Sequence, residues 1–250
     1  MITLRNKEEI MKMKKSGELL AACHREIRKL IRPGITTLEI DEFVENFLKK
    51  NGATPEQKGY HGYPYAICAS RNDVICHGFP TKEPLEDGDI VGIDMVFRLD
   101  GWLSDSAWTY AVGNISDEAR RLMDITKQSL YKGIEKAVVG NRVGDISNVI
   151  QTFAEANGYS VVRDFVGHGI GKLMHEDPQI PHYGPAGRGY RLKEGMVFTI
   201  EPMINAGRYE LTIDQSNGWI ARTKDGSLSA QFEHTIAITE NGPMILTEQD

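Results

Sequence analysis

Four stretches of the chain carry apolar residues at helical spacing. In the first, Ile10, Leu20 and Ile27 recur on one face until Pro33-Gly34 ends the pattern. Serine or threonine residues in N-cap positions precede the second and third stretches, and Asn-Gly pairs follow the second and fourth. The sequence therefore predicts two helix pairs: 7–31 with a helix from Thr36-Thr37 to Asn51-Gly52, and 117–139 with 145–157.

The two helix pairs resemble each other in sequence. Gly52 and Gly158, which end the second helix of each pair, lie 106 residues apart, and the apolar positions before them align. Segments 85–94 and 192–201 match at an offset of 107, each an acidic turn followed by an apolar strand that ends in a carboxylate. One such match arises easily by chance, but two at nearly equal offsets favour duplicated halves. Asp94 and Glu201 would then be equivalent and meet where the halves join, a common place for ligand sites.

A β-hairpin is predicted over Asp89–Val112, with its turn at Asp100-Gly101. In that register Asp94 lies opposite Ala107. Asp105 is two residues from Ala107, so side-chain alternation places Asp105 on the same face as Asp94. A longer loop or a bulge would break this inference.

The second half offers a fourth carboxylate, Glu233, just before an apolar strand that starts at Thr235. Each acid taken singly is most simply a solvated side chain. Four carboxylates brought together would repel one another unless cations neutralised them. If Asp94, Asp105, Glu201 and Glu233 converge, the sequence therefore predicts a site for two divalent metal ions.

Two histidines lie in the glycine-rich segment 167–178, at His168 and His175. The glycines argue against a helix there, so the two imidazoles need not share one face or one role. Ordinary packing remains the default for an isolated histidine. A neutral imidazole with an oxygen-rich remainder favours manganese, iron or cobalt over closed tetrahedral zinc.

Covalent catalysis lacks support in the sequence. Cys76 and His77 are adjacent in an apparently extended segment, so we expect their side chains on opposite faces. No nucleophile elbow, H-E-x-x-H zinc motif, P-loop or complete G-x-G-x-x-G is present. Nucleophilic side chains and nucleotide cofactors are therefore disfavoured.

Composition changes the picture little. The 250 residues predict one domain, 1–250, with ordinary globular composition. Three cysteines form no disulfide framework or structural zinc motif, and no signal peptide or membrane span is visible. The net charge of −6 argues mildly against nucleic acid or anionic lipid as the main ligand. We therefore expect a cytoplasmic protein in a reducing compartment.

The motifs in their order resemble the type I methionine aminopeptidases over nearly the whole chain. The segments that carry the resemblance are 60–64, 72–78, Asp94 with Asp105, 167–178, 199–203 and 229–235. The resemblance implies an α+β class and the pita-bread fold, in which two related halves place curved antiparallel sheets under helix pairs. It also implies five ligands for two divalent ions (Co, Mn, Fe, Zn or Ni): Asp94, Asp105, His168, Glu201 and Glu233, with Asp105 and Glu233 bridging.

For chemistry, the resemblance implies removal of the initiator methionine by a metal-bridging hydroxide, preferentially before a small second residue. Glu201 would be the general base, and His175 would bind the scissile carbonyl or its developing oxyanion. His77 would hold the amide next to the cleaved bond and help the leaving amine. Tyr60, Tyr63, Cys68 and Trp219 would line the methionine pocket, although ordinary core packing remains an alternative for each. The expected partners are peptide and nascent-chain N-termini, with the ribosome as a further partner. The enzyme is expected to be a monomer.

Some features depart from the family pattern or fit other functions. Met174 stands where an aromatic residue is expected, and Ser106-Ala107 replaces the more usual Thr-Ser. Neither the cysteine-rich extension nor the type II helical insertion is expected. A proline-specific peptidase of the same fold is disfavoured by the short segment before Asp94. A non-catalytic binding protein is disfavoured because it has no need to crowd four acids together.

Overall fold

Two helix pairs cover the sheets in the computed structural model, which describes residues 1–249. Helix α1 begins after Asn6, which forms a reciprocal capping box with Glu9, and α2 begins after Thr36, which does the same with Glu39. Within the described range the α-helices are α1 (Lys7–Leu30), α2 (Thr37–Lys50), α3 (Asp117–Glu135) and α4 (Val143–Ala156). The four predicted helices are thus present, with small changes at their ends.

The largest change is at the end of α3, which stops at Glu135 although the apolar pattern predicts a helix to 139. The amides of Lys136 and Ala137 donate to carbonyls three residues back, so the last turn tightens and the helix closes. Helix α4 begins two residues earlier than predicted. The Arg142 amide donates to the Asp145 carboxylate at 2.7 Å, which caps the new first turn.

The strands form antiparallel ladders in each half. A four-stranded sheet has the order β1-β4-β2 with β5 paired to β4, and a five-stranded sheet has the order β15-β14-β9-β7-β8. Two three-stranded sheets, β13-β10-β6 and β11-β12-β3, complete the layer. The bounds are β1 Thr54–Pro55, β2 Cys68–Arg71, β3 Val74–Cys76, β4 Ile90–Leu99, β5 Trp102–Ala111, β6 Ser160–Val161, β7 Gly167–Gly169, β8 Glu176–Ile180, β9 Val197–Ile200, β10 Met203–Asn205, β11 Leu211–Ile213, β12 Ala221–Thr223, β13 Ser229–Gln231, β14 His234–Thr239 and β15 Gly242–Ile245.

The predicted hairpin is present as β4 and β5, and its register is the predicted one. Leu99 pairs with Trp102 and Asp94 pairs with Ala107, without a bulge. Asp100 and Gly101 both have positive φ, as the two central residues of a tight hairpin turn require. The comparison of segments 85–94 and 192–201 described a strand that ends at Asp94. In the structure β4 continues to Leu99, so Asp94 lies inside the strand.

The two halves are joined where β5 lies beside β14. The Asp105 amide donates to the Thr235 hydroxyl at 3.0 Å, and that hydroxyl donates to the Asp105 carbonyl at 2.8 Å. Two further bonds of 2.8 Å continue the seam: the Ser106 hydroxyl donates to the Glu233 carbonyl, and the Glu233 amide donates to the Ala107 carbonyl. These bonds hold Asp105 and Glu233 next to each other.

One hydrophobic core extends through both halves. The first half contributes Ile27, Val44 and Phe97 to this core, and the second contributes Ile150 and Phe198. All five side chains are fully buried and pack against one another in a continuous core. Burial of this apolar surface is the main driving force for the fold. Because both helix pairs pack on the same core, the seam between the halves is held rigidly.

All three cysteines are free and buried. Burial raises the pKa of each thiol above its ordinary value, so the thiols are uncharged at neutral pH. Across residues 1–249, no helix combines the length and apolar character needed to cross a membrane.

His24 on α1 makes the stability of the fold depend on pH. Its imidazole is fully buried, bonded to the Tyr110 hydroxyl at 2.7 Å and to the Ser106 carbonyl at 3.2 Å. Burial lowers its pKa from 6.5 to about 4. The unfolded chain therefore binds a proton between these values when the folded chain does not, and stability is lost as the pH falls from 6.5 towards 4.

We expect wild-type protein to lose about 2 kcal/mol more unfolding free energy than His24→Gln between pH 7 and pH 5. Urea unfolding with metal chelated, at both pH values, measures this difference. His61→Gln, which removes an exposed imidazole, is the matched control. Equal slopes for wild type and His24→Gln would contradict the argument.

Candidate metal centre

A cavity of about 430 Å³ opens at the seam between the halves. Its size is typical of a site for a small ligand or a short peptide end. All eleven residues singled out from the sequence line it: Tyr60, Tyr63, Cys68, His77, Asp94, Asp105, His168, His175, Glu201, Trp219 and Glu233. The structure thus brings the whole set together, although their individual roles remain predictions.

The strand framework explains why the four carboxylates converge. Asp94 and Asp105 lie on one face of the β4-β5 hairpin, while Glu201 directly follows β9. Ile200 pairs with His234, so Glu201 and Glu233 stand at adjoining ends of two paired strands. Each half therefore supplies two acids to the same cavity.

The ligand atoms lie within the reach of one ion. Oxygens of Asp105 and Glu233 and a ring nitrogen of His168 all fall within 4.8 Å of one another. His168 Nε2 is also 3.6 Å from an oxygen of Asp105 and 3.6 Å from one of Glu201. These separations are too long for hydrogen bonds but suit donor atoms arranged around a cation.

Several of these oxygens have no hydrogen-bond partner in the described part of the chain, although they are buried. They are Asp94 Oδ1, Asp105 Oδ1 and Glu233 Oε1. A buried carboxylate oxygen without a donor carries a large desolvation cost. Three such atoms facing one cavity fit a site that is completed by positive charge.

The carboxyl pKa values indicate the same need for positive charge. Burial raises the pKa of all four carboxyl groups, Asp94, Asp105, Glu201 and Glu233, above their ordinary values. The neighbouring carboxylates add to the rise at Asp105 and Glu233. Without a cation the cluster would take up protons, whereas divalent cations would keep it ionised.

The tautomer of His168 is fixed by its own strand. Nδ1 lies 3.0 Å from the Gly169 carbonyl, which can only accept, so Nδ1 carries the proton. Burial lowers the pKa of the ring to about 4, so the ring is neutral. The lone pair of Nε2 then points at two carboxylates, which is an arrangement typical of a metal-binding histidine.

Glu201 is held by two polar neighbours. The Thr199 hydroxyl donates to Oε1 at 2.8 Å, and the Gln231 amide lies 3.3 Å from Oε2. Thr199 also accepts the His168 amide at 3.0 Å, so one hydroxyl links the carboxylate to the histidine strand. These hydrogen bonds therefore fix the orientation of the Glu201 side chain.

His175 lies on the rim of the cavity with its ring 4.4 Å from that of His168, measured between centroids. Its Nδ1 is 2.9 Å from the Tyr60 hydroxyl. Burial, together with the nearby His61, lowers the pKa of His175, so this ring is neutral at pH 7 as well. If Tyr60 donates to Nδ1, the proton of the neutral ring is on Nε2 and is free for a ligand.

The sequence-based view of Cys76 and His77 requires a correction. Both residues line the cavity, whereas alternation along an extended segment places them on opposite faces. Strand β3 ends at Cys76, and His77 has a φ of 57°, so the alternation does not continue through it. The raised thiol pKa of Cys76 still disfavours a thiolate nucleophile.

Aromatic rings form the apolar wall of the cavity. Tyr63 and Trp219 contact edge to face at 5.1 Å, and His77 contacts Trp219 at 6.0 Å in the same manner. The Tyr63 hydroxyl lies 2.9 Å from the Ile67 carbonyl and 3.0 Å from the Gly78 carbonyl and can donate its one proton to either, so its ring rather than its hydroxyl faces the cavity region. Met174, at the position where an aromatic residue was expected, is also part of the lining.

The sequence analysis missed three contributors to the site. Phe165 packs edge to face on His77 at 5.1 Å, and no sequence signal identifies it. Gln57 donates to the Asp94 carbonyl at 3.0 Å and accepts from the Val96 amide at 2.5 Å, which braces β4. Gln231 was detectable, since it lies two residues before Glu233 and alternation places both on one face.

Comparison with known proteins finds relatives that match the chain over almost its whole length. Residues 11–240 match the model of metallopeptidase family M24. The chain is 53% identical to a methionine aminopeptidase of Clostridium perfringens and 51% identical to methionine aminopeptidase 1 of Bacillus subtilis, with 99% of each chain covered. The crystal structure of a Rickettsia prowazekii methionine aminopeptidase superposes with a TM-score of 0.98 at 44% identity, covering 99% of this chain and all of that one.

Proposed function

Since the chain belongs to metallopeptidase family M24 and to its methionine aminopeptidases, we propose that the cavity at the seam is the site where this activity resides. The enzyme is a hydrolase that removes the N-terminal methionine of peptides and proteins, and its fold is the pita-bread fold. The convergence of four buried carboxylates and one neutral imidazole carries the assignment of the site.

The proposed metal ligands are Asp94, Asp105, His168, Glu201 and Glu233, which would hold two divalent ions. The unpartnered oxygens and the Nε2 lone pair support this set. Such ions, when bound, would act as Lewis acids and lower the pKa of water towards neutrality. The family is metal-dependent, and we propose cobalt, manganese, iron, zinc or nickel, because the mixed oxygen and nitrogen donors suit several of these ions.

Glu201 is proposed as the general base that accepts the proton of the attacking water. Its carboxylate is already oriented by the Thr199 hydroxyl and the Gln231 amide, so little reorganisation precedes proton transfer. The same group would then return the proton to the departing amine. A carboxylate that accepts a proton and later returns it must stay in one position. The hydrogen bonds from Thr199 and Gln231 keep Glu201 there.

His175 and His77 are proposed to bind the peptide bond itself. Neutral His175, with Tyr60 at Nδ1, can donate from Nε2 to the scissile carbonyl and to the oxyanion that develops there. Burial lowers the pKa of His77 to about 4, so it is also neutral and can hold the next amide by a hydrogen bond. Neutral imidazoles are suitable donors here because a charged imidazolium would be repelled by metal cations in the same cavity.

The apolar wall is proposed to bind the methionine side chain. Tyr60, Tyr63, Cys68 and Trp219 line the cavity, and Met174 supplies a flexible thioether beside them. We propose that the enzyme prefers substrates in which the residue after the methionine is small, as the family resemblance implies. A single catalytic domain over residues 1–250 is proposed to contain all of these groups.

We further propose a cytoplasmic, monomeric enzyme that acts on peptide and nascent-chain N-termini, including those emerging from the ribosome. Three reduced, buried cysteines support a reducing compartment. The N-terminal methionine of a nascent chain first becomes accessible at the ribosome, so the enzyme would encounter its substrate there. Size-exclusion chromatography with light scattering, and co-sedimentation with ribosomes, would test these points.

The function is tested by metal-dependent release of methionine. We expect a Met-Gly-Met peptide to be cleaved, activity to fall at least about 100-fold after chelation, and Mn or Co to restore it. An X-Pro peptide should remain uncleaved, which separates this activity from that of a proline-specific peptidase. Restoration should saturate at up to two ions per chain. Turnover that survives complete metal removal would refute the assignment of the site.

A further inference from the structure

The N-terminal segment before α1 contacts the turn that carries Met174 and His175. Arg5 Nη2 donates to both carboxylate oxygens of Glu176, at 2.8 and 2.7 Å. The two side chains are only 9% and 13% exposed. An ion pair on an exposed surface contributes little to stability. A largely buried pair in which one guanidinium contacts both carboxylate oxygens holds the two side chains more firmly in place.

Glu176 connects this arginine to the backbone of the turn. Its Oε1 accepts the amides of Lys172 at 2.9 Å and Leu173 at 3.2 Å. The carboxylate thus closes the segment from Lys172 to Glu176 into a loop, with His175 as the residue next to it. Loss of the Glu176 carboxylate from this position would release the amides of Lys172 and Leu173 and so loosen the loop that carries His175.

The rest of the Arg5 environment is shaped to hold the guanidinium in place. A Cβ on Gly171 would lie 2.3 Å from Arg5 Nη2, so a larger residue there would push the guanidinium out of its present place. The guanidinium carbon lies 5.5 Å from the centre of the Trp102 ring, and the Arg5 amide donates to the Gly195 carbonyl at 2.7 Å. This explains one glycine of the glycine-rich segment by packing against a residue far away in sequence.

We propose that Arg5 is a positioning residue for the reaction, which acts through Glu176 to hold His175 in the cavity. The proposal rests on the role proposed above for His175. Arg5 itself does not line the catalytic cavity. Displacement of a reacting group by about 1 Å can cost a factor of about 100 in rate, so a distant clamp can control turnover.

A double-mutant cycle on the metal-loaded enzyme tests the proposal. We expect Arg5→Ala to lower kcat about tenfold, with KM within about twofold of wild type, because His175 acts mainly in the transition state. Glu176→Gln should have a similar effect. In the Glu176→Gln background, Arg5→Ala should cost less than about twofold more, because the two residues act as one unit. Arg5→Lys, which keeps the charge but loses the reach of the arginine and its planar guanidinium over Trp102, should give an intermediate kcat.

The matched control is Lys7→Ala, which removes an exposed ion pair with Glu240 from the same part of the chain. It should keep the wild-type kcat. Metal content and melting temperature are recorded for every variant, so that loss of ligands or of folding is separated from misplacement of His175. Should Arg5→Ala fail to fold, Arg5→Lys and Glu176→Gln decide the question through their kcat values at unchanged metal content.

His175→Ala is measured in the same series. If it is slow while Arg5→Ala and Glu176→Gln have the wild-type kcat, the positioning proposal is wrong and the proposed function stands. If His175→Ala itself turns over normally, the proposed role of His175 is wrong. Equal costs of Arg5→Ala with and without Glu176 would also overturn the proposal, since the arginine would then act by another route.

Discussion

Replacing Glu201 by glutamine is expected to lower kcat about 1,000-fold while the protein remains folded. Glutamine has nearly the same shape, and its Oε1 can still accept from the Thr199 hydroxyl, while its NH2 group can bond to Gln231 once the Gln231 amide has turned over. The amide, however, cannot accept a proton from water at neutral pH. The loss therefore reports proton transfer rather than packing, and it should be visible in the rate at saturating substrate.

The measurement compares kcat for methionine release by wild type, Glu201→Gln and Glu194→Gln under saturating metal. Glu194 is an exposed acid in the turn before the same strand, so its variant controls for the loss of one charge nearby. Metal content by mass spectrometry separates weaker ligation from the loss of the base. A Glu201→Gln enzyme that keeps its metal and turns over within threefold of wild type would exclude Glu201 as the base.

The register of one hairpin made much of this site predictable from sequence. Because the turn at Asp100-Gly101 has two residues, side-chain alternation alone places Asp94 and Asp105 on one face. The repeat then relates Glu201 to the first of these acids across the two halves. Local turn chemistry and an internal duplication thus fixed the acids relative to one another, and the family resemblance assigned their chemical roles.

Other features depend on contacts that no local pattern contains. His77 enters the cavity because its backbone adopts a positive φ just after β3, which alternation cannot foresee. Helix α3 ends early because its last turn tightens, although the apolar pattern continues. Arg5 and Glu176 meet across 171 residues. Sequence reasoning therefore works where the rule is periodic and fails where a single dihedral or a distant partner decides.

The two halves also contribute differently to the cavity. The first half supplies a hairpin whose acids lie within paired strands, so their positions are fixed by the backbone ladder. The second half supplies Glu201 and Glu233 at strand ends, together with His168 and the turn that carries His175. The groups that we propose to move protons and to bind the scissile carbonyl, Glu201 and His175, therefore come from the less regular half, where side-chain contacts set their positions.

His175→Ala is expected to lower kcat about 100- to 1,000-fold, which is the usual cost of removing one donor from a developing oxyanion. KM should change much less, because the hydrogen bond is strongest when negative charge has accumulated on the carbonyl oxygen. The metal content should remain that of wild type, since His175 is not one of the proposed ligands. Steady-state kinetics on a Met-Gly-Met peptide provide both constants.

Two further variants make the result specific to the hydrogen bond. His175→Asn keeps a shorter N–H donor and should recover part of the lost rate. Tyr60→Phe removes the hydroxyl at Nδ1 and should lower kcat by a smaller factor of about 3 to 10, because the ring can then exchange tautomers and orientation. If alanine at position 175 raised KM and left kcat unchanged, His175 would bind the ground state and transition state equally. The oxyanion would then need another donor, and His77, whose ring contacts Trp219 in the same cavity, would be the next imidazole to examine.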